Sequence, residues 1–316
     1  MQDVGVIYLF RFSEGEEPVR RFLETYSDHP AGIDHDLNVI FKGFPDRESL
    51  DKGRALFSKF QTTSIELDDS SYDIGSYVKA ARIVGNRRIF FLNTFSQILA
   101  DNWLKHFDRA LNRPGIGLVG ATGSWAANTA GYEATIRFIM RRALGLPAQF
   151  YQTFEPDRAD DSRAEQSGKR SLKQYLSAPF EYLLRLYSYG RYPNPHIRTN
   201  AFMMERSCFL SLDFPSFERK SDTYKFESGR RSMTKQLLMK NLKSLVVDRG
   251  GNVYGASEWK LSSTFRTDEQ ENLIIADNRT TDYALASPKH REYLEKLTWV
   301  HPWNWDSDCP RPPRLT

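Results

Sequence analysis

The chain of 316 residues is long enough for one large domain or two small ones, and its charges nearly balance. It carries 44 lysines and arginines against 40 aspartates and glutamates, a formal charge of +4, which is no signature of nucleic-acid binding. Cys208 and Cys309 are too few for a disulfide framework or a zinc site. No apolar run approaches the roughly twenty residues of a membrane span, and the start, MQDVGVIYLFRF, lacks the flanks of a signal peptide. We therefore expect a cytoplasmic protein, with peripheral contact at the inner face of a membrane left open.

The first 125 residues alternate between apolar runs of strand length and segments with helical spacing. Strands are expected at residues 4–10, 37–41, 64–67, 89–92 and 116–120, and helices at 18–26, 50–60, 74–84 and 97–111, with Asp73 as the cap of the third helix. Such alternation predicts a parallel sheet with helices packed on both faces. The expected fold class is therefore α/β, with a mainly parallel sheet covered on both sides.

The pattern changes in the rest of the chain. Helical spacing covers residues 132–144, 172–189 and 232–245, and Pro179 is expected to kink or split the second of these helices. Residues 155–170 are highly charged, which predicts a mobile loop. Residues 245–247 lead towards a last short strand, and the proline-rich end, CPRPPRLT, is expected to be disordered.

Several familiar motifs are present by letter only. GIGLVG, at 115–120, matches the dinucleotide motif G-x-G-x-x-G, but its apolar residues are themselves the strand. Its glycines are therefore expected to permit tight turns and close backbone approach. The triplets Asp34-His35-Asp36 and Asp306-Ser307-Asp308 could clamp a divalent cation, but the first precedes its strand and the second lies in the tail. The histidines show no zinc-hydrolase spacing.

The stretch RIFFLNTFSQILADNWL, residues 88–104, is the most informative. Ligands of α/β folds gather where strands end and helices begin. Here an apolar run stops at Asn93-Thr94-Phe95-Ser96, and Thr94 with Gln97 fits the capping box S/T-x-x-E/Q. We expect a helix to begin there, with free backbone N–H groups that hold a phosphate. The alternative is that Thr94 and Ser96 only cap the helix.

Taken in order, four segments resemble a GT-A glycosyltransferase, the nucleotide-diphospho-sugar transferase fold. They are DIGSYVKAARI (73–83), RIFFLNTFS (88–96), NWLKHFDRAL (102–111) and GIGLVGATGS (115–124). D-I-G, a strand and GLVGATGS also look like the rhamnan-synthesis F-like branch of bacterial polysaccharide proteins, and NPHIRTNAFMMER (194–206) looks like an acceptor-side segment of that branch. The resemblance implies a nucleotide-sugar-binding half at 1–125, an acceptor-side half at 126–260 and a C-terminal extension at 261–316.

One departure from the GT-A pattern concerns the metal. Where these enzymes usually place Asp-x-Asp, this sequence has Asn93-Thr94-Phe95. A neutral amide and a phenyl ring are poor ligands for a divalent cation, so no cofactor is assigned and Mg²⁺ or Mn²⁺ has no supporting motif. Two alternatives follow. Either transfer proceeds without a metal, or the protein has lost transfer activity.

The resemblance also implies donor-binding and catalytic residues. Donor contacts are expected from Asp69, Asp73, Asn93, Thr94 and Ser96. The two aspartates would contact the base or ribose, and the other three would line the diphosphate. Glu227, in KFESGRRSMTKQLL, occupies a position comparable to the carboxylate that deprotonates the acceptor in inverting GT-A enzymes. The rival interpretation of Glu227 is helix capping, and Asp222 and Glu218 are nearby alternatives.

The segment HIRTNAF adds His196, Arg198 and Asn200 as contacts to the acceptor or the diphosphate. A planar guanidinium suits a diphosphate. The rival interpretation of Arg198 is a surface ion pair, which contributes little energetically.

The expected function is transfer of a sugar from a nucleoside diphosphate donor to a glycan or lipid-linked glycan acceptor, inverting if Glu227 is the base and without a nucleic-acid partner. The first alternative is a catalytically silent GT-A-like module that binds a glycan or assembles a polysaccharide complex. A weaker alternative is another nucleotide-dependent α/β enzyme such as a methyltransferase. That reading suffers because its glycine-rich motif should follow the first strand, where this chain has RFSEGEE.

Overall fold

The computed structural model describes residues 2–145 and 172–304. The charged segment 155–170, the triplet Asp306-Ser307-Asp308 and the proline-rich end lie outside the described residues. The strands, in chain order, are β1 (Val4–Arg11), β2 (Asp36–Lys42), β3 (Thr62–Leu67), β4 (Arg88–Leu92), β5 (Gln97–Ile98), β6 (Ile116–Gly120), β7 (Gly123–Ser124), β8 (His196–Ile197), β9 (Ala201–Glu205), β10 (Lys243–Val247), β11 (Val253–Tyr254) and β12 (Ile275–Ala276).

The α-helices, in chain order, are α1 (Glu17–Asp28), α2 (Arg47–Ala55), α3 (Asp73–Ile83), α4 (Trp103–Leu111), α5 (Ala130–Ala143), α6 (Leu172–Tyr189), α7 (Arg206–Leu210), α8 (Lys220–Ser228), α9 (Met233–Met239), α10 (Asn278–Leu285) and α11 (Pro288–Trp299). Short 3₁₀ turns occupy Phe12–Glu14, Trp259–Ser262 and Pro302–Asn304. None of these helices is long and apolar enough to cross a membrane.

Eight strands form one sheet in the order β11-β10-β6-β9-β4-β1-β2-β3. β3, β2, β1 and β4 are parallel neighbours, and β10 is parallel to β6. β9 runs antiparallel between β4 and β6, and β11 is antiparallel at the edge. The chain therefore places β2 and β3 on one side of β1 and returns to the other side with β4. The α/β fold class with a mainly parallel sheet is confirmed.

Both faces of the sheet are buried, which explains why its strands are continuous apolar runs. Ile7 and Leu9 of β1 belong to the core on the face covered by α3, α7 and α9. Tyr8 and Phe10 point to the other core, beneath α1, α2 and α4. The Tyr8 ring stacks on Phe22 of α1 with centroids 3.8 Å apart. The alternation along β1 therefore assigns helices to the two faces of the sheet, as the sequence predicted.

The glycines of GIGLVG have the roles expected of them. Gly115 precedes β6 with a φ of 75°, a conformation that favours glycine. At Gly120, a Cβ atom would lie 2.3 Å from Cγ2 of Ile197. Glycine therefore lets β8 approach the end of β6, and β8 carries His196.

The helix expected at 97–111 begins only at Trp103, so the capping-box prediction at Thr94 is wrong. Residues 97–98 instead form β5, which pairs antiparallel with β12. The reason is tertiary: the partner strand is a distant two-residue segment that no local pattern reveals. The phosphate-binding helix N-terminus predicted at this position is consequently absent.

The helix expected at 232–245 is also shorter in the structure. α9 ends at Met239, Asn241 adopts a φ of 57°, and Lys243–Val247 forms β10 beside β6. Pairing with the buried β6 therefore overrides the helical spacing in this segment. α6 runs through Pro179 as one helix and is not split there.

Candidate functional site

Parallel strands that share a direction end at the same edge of a sheet. Here the carboxyl ends of β1, β2, β4 and β6 carry Arg11, Lys42, Asn93 and Thr122. We call this edge the carboxyl edge. The strand order reverses between β1 and β4, and open α/β sheets bind their ligands at such a switch point. The topology therefore marks the carboxyl edge as the candidate site.

Asp69 joins two cations at the ends of β1 and β2. Arg11 donates to it through Nε at 3.0 Å and Nη2 at 2.8 Å, and Lys42 Nζ lies 3.2 Å from its Oδ1. The hydrogen bond from Arg11 is the main cause that lowers the pKa of Asp69. The Lys42 side chain is only 1% exposed, whereas Asp69 is 45% exposed. Asp69 is therefore held in place by its partners, with part of the carboxylate facing solvent.

Asp73 is the first residue of α3 and is exposed. Desolvation by the surrounding protein nevertheless raises its pKa, while the charges of Lys42 and Arg11 act to lower it. Asp73 is therefore an exposed carboxylate near Lys42 and Arg11, and it can accept hydrogen bonds from a ligand at the carboxyl edge.

The turn after β4 is held by its own polar groups. Asn93 Oδ1 accepts hydrogen bonds from Phe95 N–H and from the Ser96 hydroxyl, both at 3.1 Å. The Thr94 carbonyl accepts from the Tyr8 hydroxyl at 2.8 Å. Thr94 and Ser96 are 2% and 0% exposed. These two residues therefore shape the turn, and Asn93 and Phe95 are its half-buried members.

This turn does not fit a divalent cation. The oxygen of Asn93 is already engaged, and Phe95 offers no ligand atom. Within residues 2–145 and 172–304, no three His, Cys, Asp or Glu side chains are arranged to hold a metal ion.

Arg198 forms a buried ion pair with Asp277. Its Nη2 lies 2.6 Å from Asp277 Oδ2, and its Nη1 donates to the Thr122 hydroxyl at 3.3 Å. The two side chains are 11% and 1% exposed. Burial acts to raise the pKa of Asp277, but Arg198 and the hydrogen bonds from Thr280 lower it overall. The alternative of a surface ion pair is therefore wrong, because Arg198 is paired but the pair is buried at the carboxyl edge.

Asn200 belongs to the same network. Its Oδ1 accepts from Thr122 Oγ1 at 3.0 Å, and its carbonyl accepts from Asn93 N–H at 3.2 Å. Its Nδ2 is buried without a hydrogen-bond partner among the described residues. A buried amide donor without a partner is costly, so this group is an unsatisfied donor within the network.

Two further arginines give this region an excess of positive charge. The Phe265 ring lies 4.2 Å from Arg198 Cζ and 4.9 Å from Arg266 Cζ. Burial, together with the charges of Arg198 and Arg279, lowers the pKa of Arg266 to about 9. Arg266 Nε is buried without a partner among the described residues. We call Arg198, Arg266 and Arg279 the arginine cluster. Among the ion pairs of residues 2–145 and 172–304, only the pair with Asp277 joins a carboxylate to the arginine cluster.

Glu227 lies in the last turn of α8, and Ser232 caps the helix that follows, so the helix-capping interpretation of Glu227 is wrong. Its Oε2 accepts hydrogen bonds from Thr199 N–H at 2.8 Å and the Thr199 hydroxyl at 2.5 Å. These bonds fix the carboxylate beside residues 196–200. Because Arg198 belongs to that segment, one short stretch of chain links Glu227 to the arginine cluster.

His196 lies beside Glu227, and Lys235 lies beside His196. His196 Nδ1 is 2.7 Å from the Asn194 carbonyl, which places the proton on Nδ1. Burial lowers the pKa of His196, while the charge of Glu227 opposes that shift. Lys235 Nζ donates to Asn194 Oδ1, and burial lowers its pKa to about 8. The structure thus brings together His196, Arg198, Asn200 and Glu227, which the sequence analysis had named separately.

Sequence reasoning missed the cations at the strand ends and the C-terminal half of the Arg198 network. Arg11 and Lys42 each close an apolar strand, a signal that was present in the sequence. Asp277 had no local signal, because it reaches the site only through the pairing of β12 with β5.

A pocket between α1, the turn after β4 and α10 is lined by Pro18, Arg21, Phe95, Gln97, Asn278, Thr281 and Asp282.

Comparisons with known proteins give fold-level similarities only. No family model and no curated protein matches the chain. A mannosyltransferase from Pyrobaculum calidifontis, PcManGT, solved with GDP-Man and Mn²⁺, is 10% identical with a TM-score of 0.44, over 96% of this chain and 72% of that chain. Glucosyl-3-phosphoglycerate synthase from Mycobacterium tuberculosis, solved with UDP, is 12% identical with a TM-score of 0.39, over 78% and 69% of the two chains.

S. aureus TarS is 13% identical with a TM-score of 0.31. The match covers 38% of this chain and only 21% of the TarS chain. At these identities and TM-scores, the ligands in those structures are properties of those proteins.

Proposed function

We propose that this protein is a GT-A-type glycosyltransferase that binds a nucleoside diphosphate sugar at the carboxyl edge without a metal clamp. The observation that carries the proposal is the arginine cluster with its single paired carboxylate, beside the end of β6. Half-buried cations in excess of their paired carboxylates favour an anionic ligand, because partial loss of solvent leaves their charge poorly compensated. A diphosphate matches planar guanidinium groups in charge and geometry.

The donor is proposed to lie along the edge from β2 towards β6. Asp73 and the exposed part of Asp69 would accept hydrogen bonds from the base or ribose hydroxyls. The diphosphate would meet the arginine cluster, with the free Asn200 amide as a further donor. The turn at Asn93, Thr94 and Ser96 would support the donor by its shape, since Thr94 and Ser96 are buried.

In the proposed reaction, Glu227 accepts the proton of an acceptor hydroxyl. The hydroxyl oxygen forms a bond to the anomeric carbon, and the bond from that carbon to the diphosphate breaks. The electron pair leaves with the diphosphate, and the arginine cluster stabilises the added negative charge. Attack opposite the leaving group inverts the anomeric centre. The resemblance noted above makes a glycan of a bacterial surface polysaccharide the proposed acceptor.

The test is a panel of UDP-, GDP- and dTDP-sugars, each incubated with the protein and oligosaccharide acceptors in EDTA. The proposal predicts release of one class of nucleoside diphosphate together with a glycosylated product. Consumption of a donor only when Mn²⁺ is added would contradict the metal-free site. No consumption under either condition would contradict the transferase.

The same contacts favour a second candidate, a silent GT-A-like binding module. Arg198 is already paired with Asp277, and Glu227 is already bonded to Thr199. If those partners are the only role of these residues, the edge is a stable scaffold and not a reaction centre. Glycan-array binding without nucleotide binding or donor turnover is the result that this candidate predicts.

A further inference from the structure

The pocket between α1, the turn after β4 and α10, which Phe95, Gln97 and Asn278 help to line, has no role in the proposed reaction. Its volume is about 160 Å³, whereas pockets that enclose drug-sized ligands measure about 300–1,000 Å³. The pocket is therefore too small for a nucleoside diphosphate, and its size suits a single ring. We call it the α1–α10 pocket.

The lining of the α1–α10 pocket combines one aromatic ring with polar side chains that lack partners. Phe95 is half-buried in the wall formed by the turn. The side chains of Gln97, Asn278 and Thr281 form no hydrogen bond or ion pair within residues 2–145 and 172–304. Two amides and a hydroxyl thus offer donors and acceptors to a ligand beside the phenyl ring.

The walls of the pocket are held in place by the surrounding structure. β5, which contains Gln97, pairs with β12, and Ile98 N–H donates to the Thr25 hydroxyl of α1 at 3.0 Å. Asp277 caps α10 by accepting a hydrogen bond from Thr280 N–H at 2.9 Å. The three walls are therefore formed without a ligand, and little ordering of the protein opposes binding.

The charges of the lining favour neither sign. Arg21 is the lining cation, and its Nε lies 3.4 Å from Glu17 Oε1, with both side chains exposed. Asp282 is the lining carboxylate and is exposed as well. An anionic ligand would lie near Asp282, and a cationic ligand would lie near Arg21. A neutral ligand rich in hydroxyl groups avoids both repulsions, because each hydroxyl can donate and accept.

We propose that the α1–α10 pocket binds one neutral sugar unit of the acceptor glycan. The C–H groups on one face of a pyranose ring would pack on Phe95, because the face of an aromatic ring carries partial negative charge. The sugar hydroxyls would form hydrogen bonds with Gln97, Asn278 and Thr281. The pocket thus matches a pyranose in size, in charge and in its mixture of apolar and polar groups.

The pocket adjoins the carboxyl edge at two places. Phe95 belongs to the turn that begins with Asn93 at the end of β4. Asn278 directly follows Asp277, whose carboxylate pairs with Arg198. A glycan with one unit in the pocket would continue towards the carboxyl edge, where the reacting hydroxyl lies in the proposed reaction. Only the assignment to the acceptor rests on the proposed function, and the binding of a neutral sugar does not.

The test is saturation-transfer NMR of the full chain, without donor, with methyl glycosides of neutral hexoses, 6-deoxyhexoses and N-acetylhexosamines. Transfer to one class is expected, and the uronide of that sugar should bind more weakly because of Asp282. Gln97→Ala/Asn278→Ala removes two hydrogen-bonding amides and should weaken binding by about tenfold or more. The matched control, Gln61→Ala, removes an amide at an exposed position outside the pocket and should bind as the unaltered chain does. Unchanged melting temperatures are expected for both variants.

Four results would overturn the proposal. The first is no transfer to any glycoside, and the second is equal affinity of Gln97→Ala/Asn278→Ala and Gln61→Ala. The third is displacement of the glycoside by UDP or GDP, which would place it at the donor site. The fourth is tighter binding of the uronide. Because no donor is present, failure of the transferase would leave glycoside binding intact and would assign the pocket to a glycan-binding module.

Discussion

The two edges of the central sheet carry the same kinds of charged residue in different surroundings. At the amino edge, Arg87 forms a two-point pair with Asp3, at 2.8 and 2.9 Å, and the side chains are 54% and 53% exposed. At the carboxyl edge, Arg198 and Asp277 are 11% and 1% exposed. Exposed pairs contribute little to stability, whereas buried charges carry a large desolvation cost. Burial alone does not separate the two edges, because Arg88 at the start of β4 is 8% exposed and pairs with Asp108 at the amino edge. The Arg198 pair differs in having a further arginine, Arg266, against the same Phe265 ring.

The triplet Asp34-His35-Asp36 also lies at the amino edge, and its last carboxylate is engaged by neighbouring segments. Asp36 Oδ2 accepts hydrogen bonds from Gln2 N–H at 2.9 Å and Asn86 Nδ2 at 2.7 Å. Its oxygens hold the start of β2 against neighbouring segments. A spacing that resembles a metal clamp in the sequence therefore serves local structure here.

The largest effect is expected from Asp277→Asn. The asparagine keeps the helix cap on α10 but leaves the arginine cluster without its paired carboxylate. Breaking a buried pair by removing one partner costs about 3–5 kcal/mol of unfolding free energy. Urea denaturation should show this loss, and Arg198→Met/Asp277→Asn should recover much of it. The matched control at the amino edge, Asp3→Asn, should cost less than about 1 kcal/mol. Equal losses at the two edges would remove the distinction drawn between them.

Glu227→Gln is expected to affect turnover and to spare the fold. The amide oxygen can still accept from Thr199, so the melting temperature should change little. Loss of a general base lowers the transfer rate by about 10²–10⁴-fold. The measurement is product formation at saturating donor, with donor affinity checked separately. Asp222→Asn on the same helix serves as the control and should keep its rate. An unchanged rate in Glu227→Gln would assign the carboxylate to structure alone.

Gly120→Ala is expected to disturb the backbone that positions His196 and Arg198 at the carboxyl edge. Its Cβ would lie 2.3 Å from Ile197 Cγ2, so β8 would have to shift. Overpacking of this kind costs about 1–3 kcal/mol, and the shift would displace His196 and Arg198. The unfolding free energy measured by denaturation and the donor affinity should both be reduced. Gly255→Ala, where the nearest atom would be 3.8 Å away, should change neither property.

A smaller, pH-dependent effect on the unfolding free energy is expected from Lys235. Its pKa is lowered to about 8 in the folded protein, against about 10.4 in the unfolded chain. Between these values the unfolded state binds more protons, so the contribution of Lys235 to unfolding free energy rises with pH through that window. Below pH 8 both states are protonated and the full desolvation cost remains. Compared with wild type, Lys235→Met should therefore lack this rise in denaturation experiments across the window. Parallel curves for the two proteins would contradict it.

The sequence was sufficient for elements whose signal is local. The buried strands β1, β2, β4 and β6 are apolar runs bounded by turn residues, and α3 follows Asp69 with clear helical spacing. Because parallel strands end at one edge of the sheet, the residues that directly follow these strands are predicted to lie near the carboxyl edge. The general position of the site could therefore be predicted from periodicity and topology rules.

The sequence was insufficient where distant segments decide the structure. Residues 97–98 pair with β12, which lies far along the chain, and this pairing replaced the expected helix start. Arg198 and Asp277 are 79 positions apart, and no spacing rule connects them. The arginine cluster, on which the proposed function depends, arises only when these segments fold together.

The most direct test of the metal-free donor site is calorimetric titration with UDP and GDP, in EDTA and again with Mn²⁺. We predict that one of the two nucleotides binds with the same affinity in EDTA and in Mn²⁺. Arg198→Met/Asp277→Asn should bind it more weakly by roughly 10–100-fold, because a charge-assisted hydrogen bond contributes about 1.5–3 kcal/mol. Binding that requires Mn²⁺, or equal affinity in the double variant, would contradict the arginine cluster as the diphosphate site.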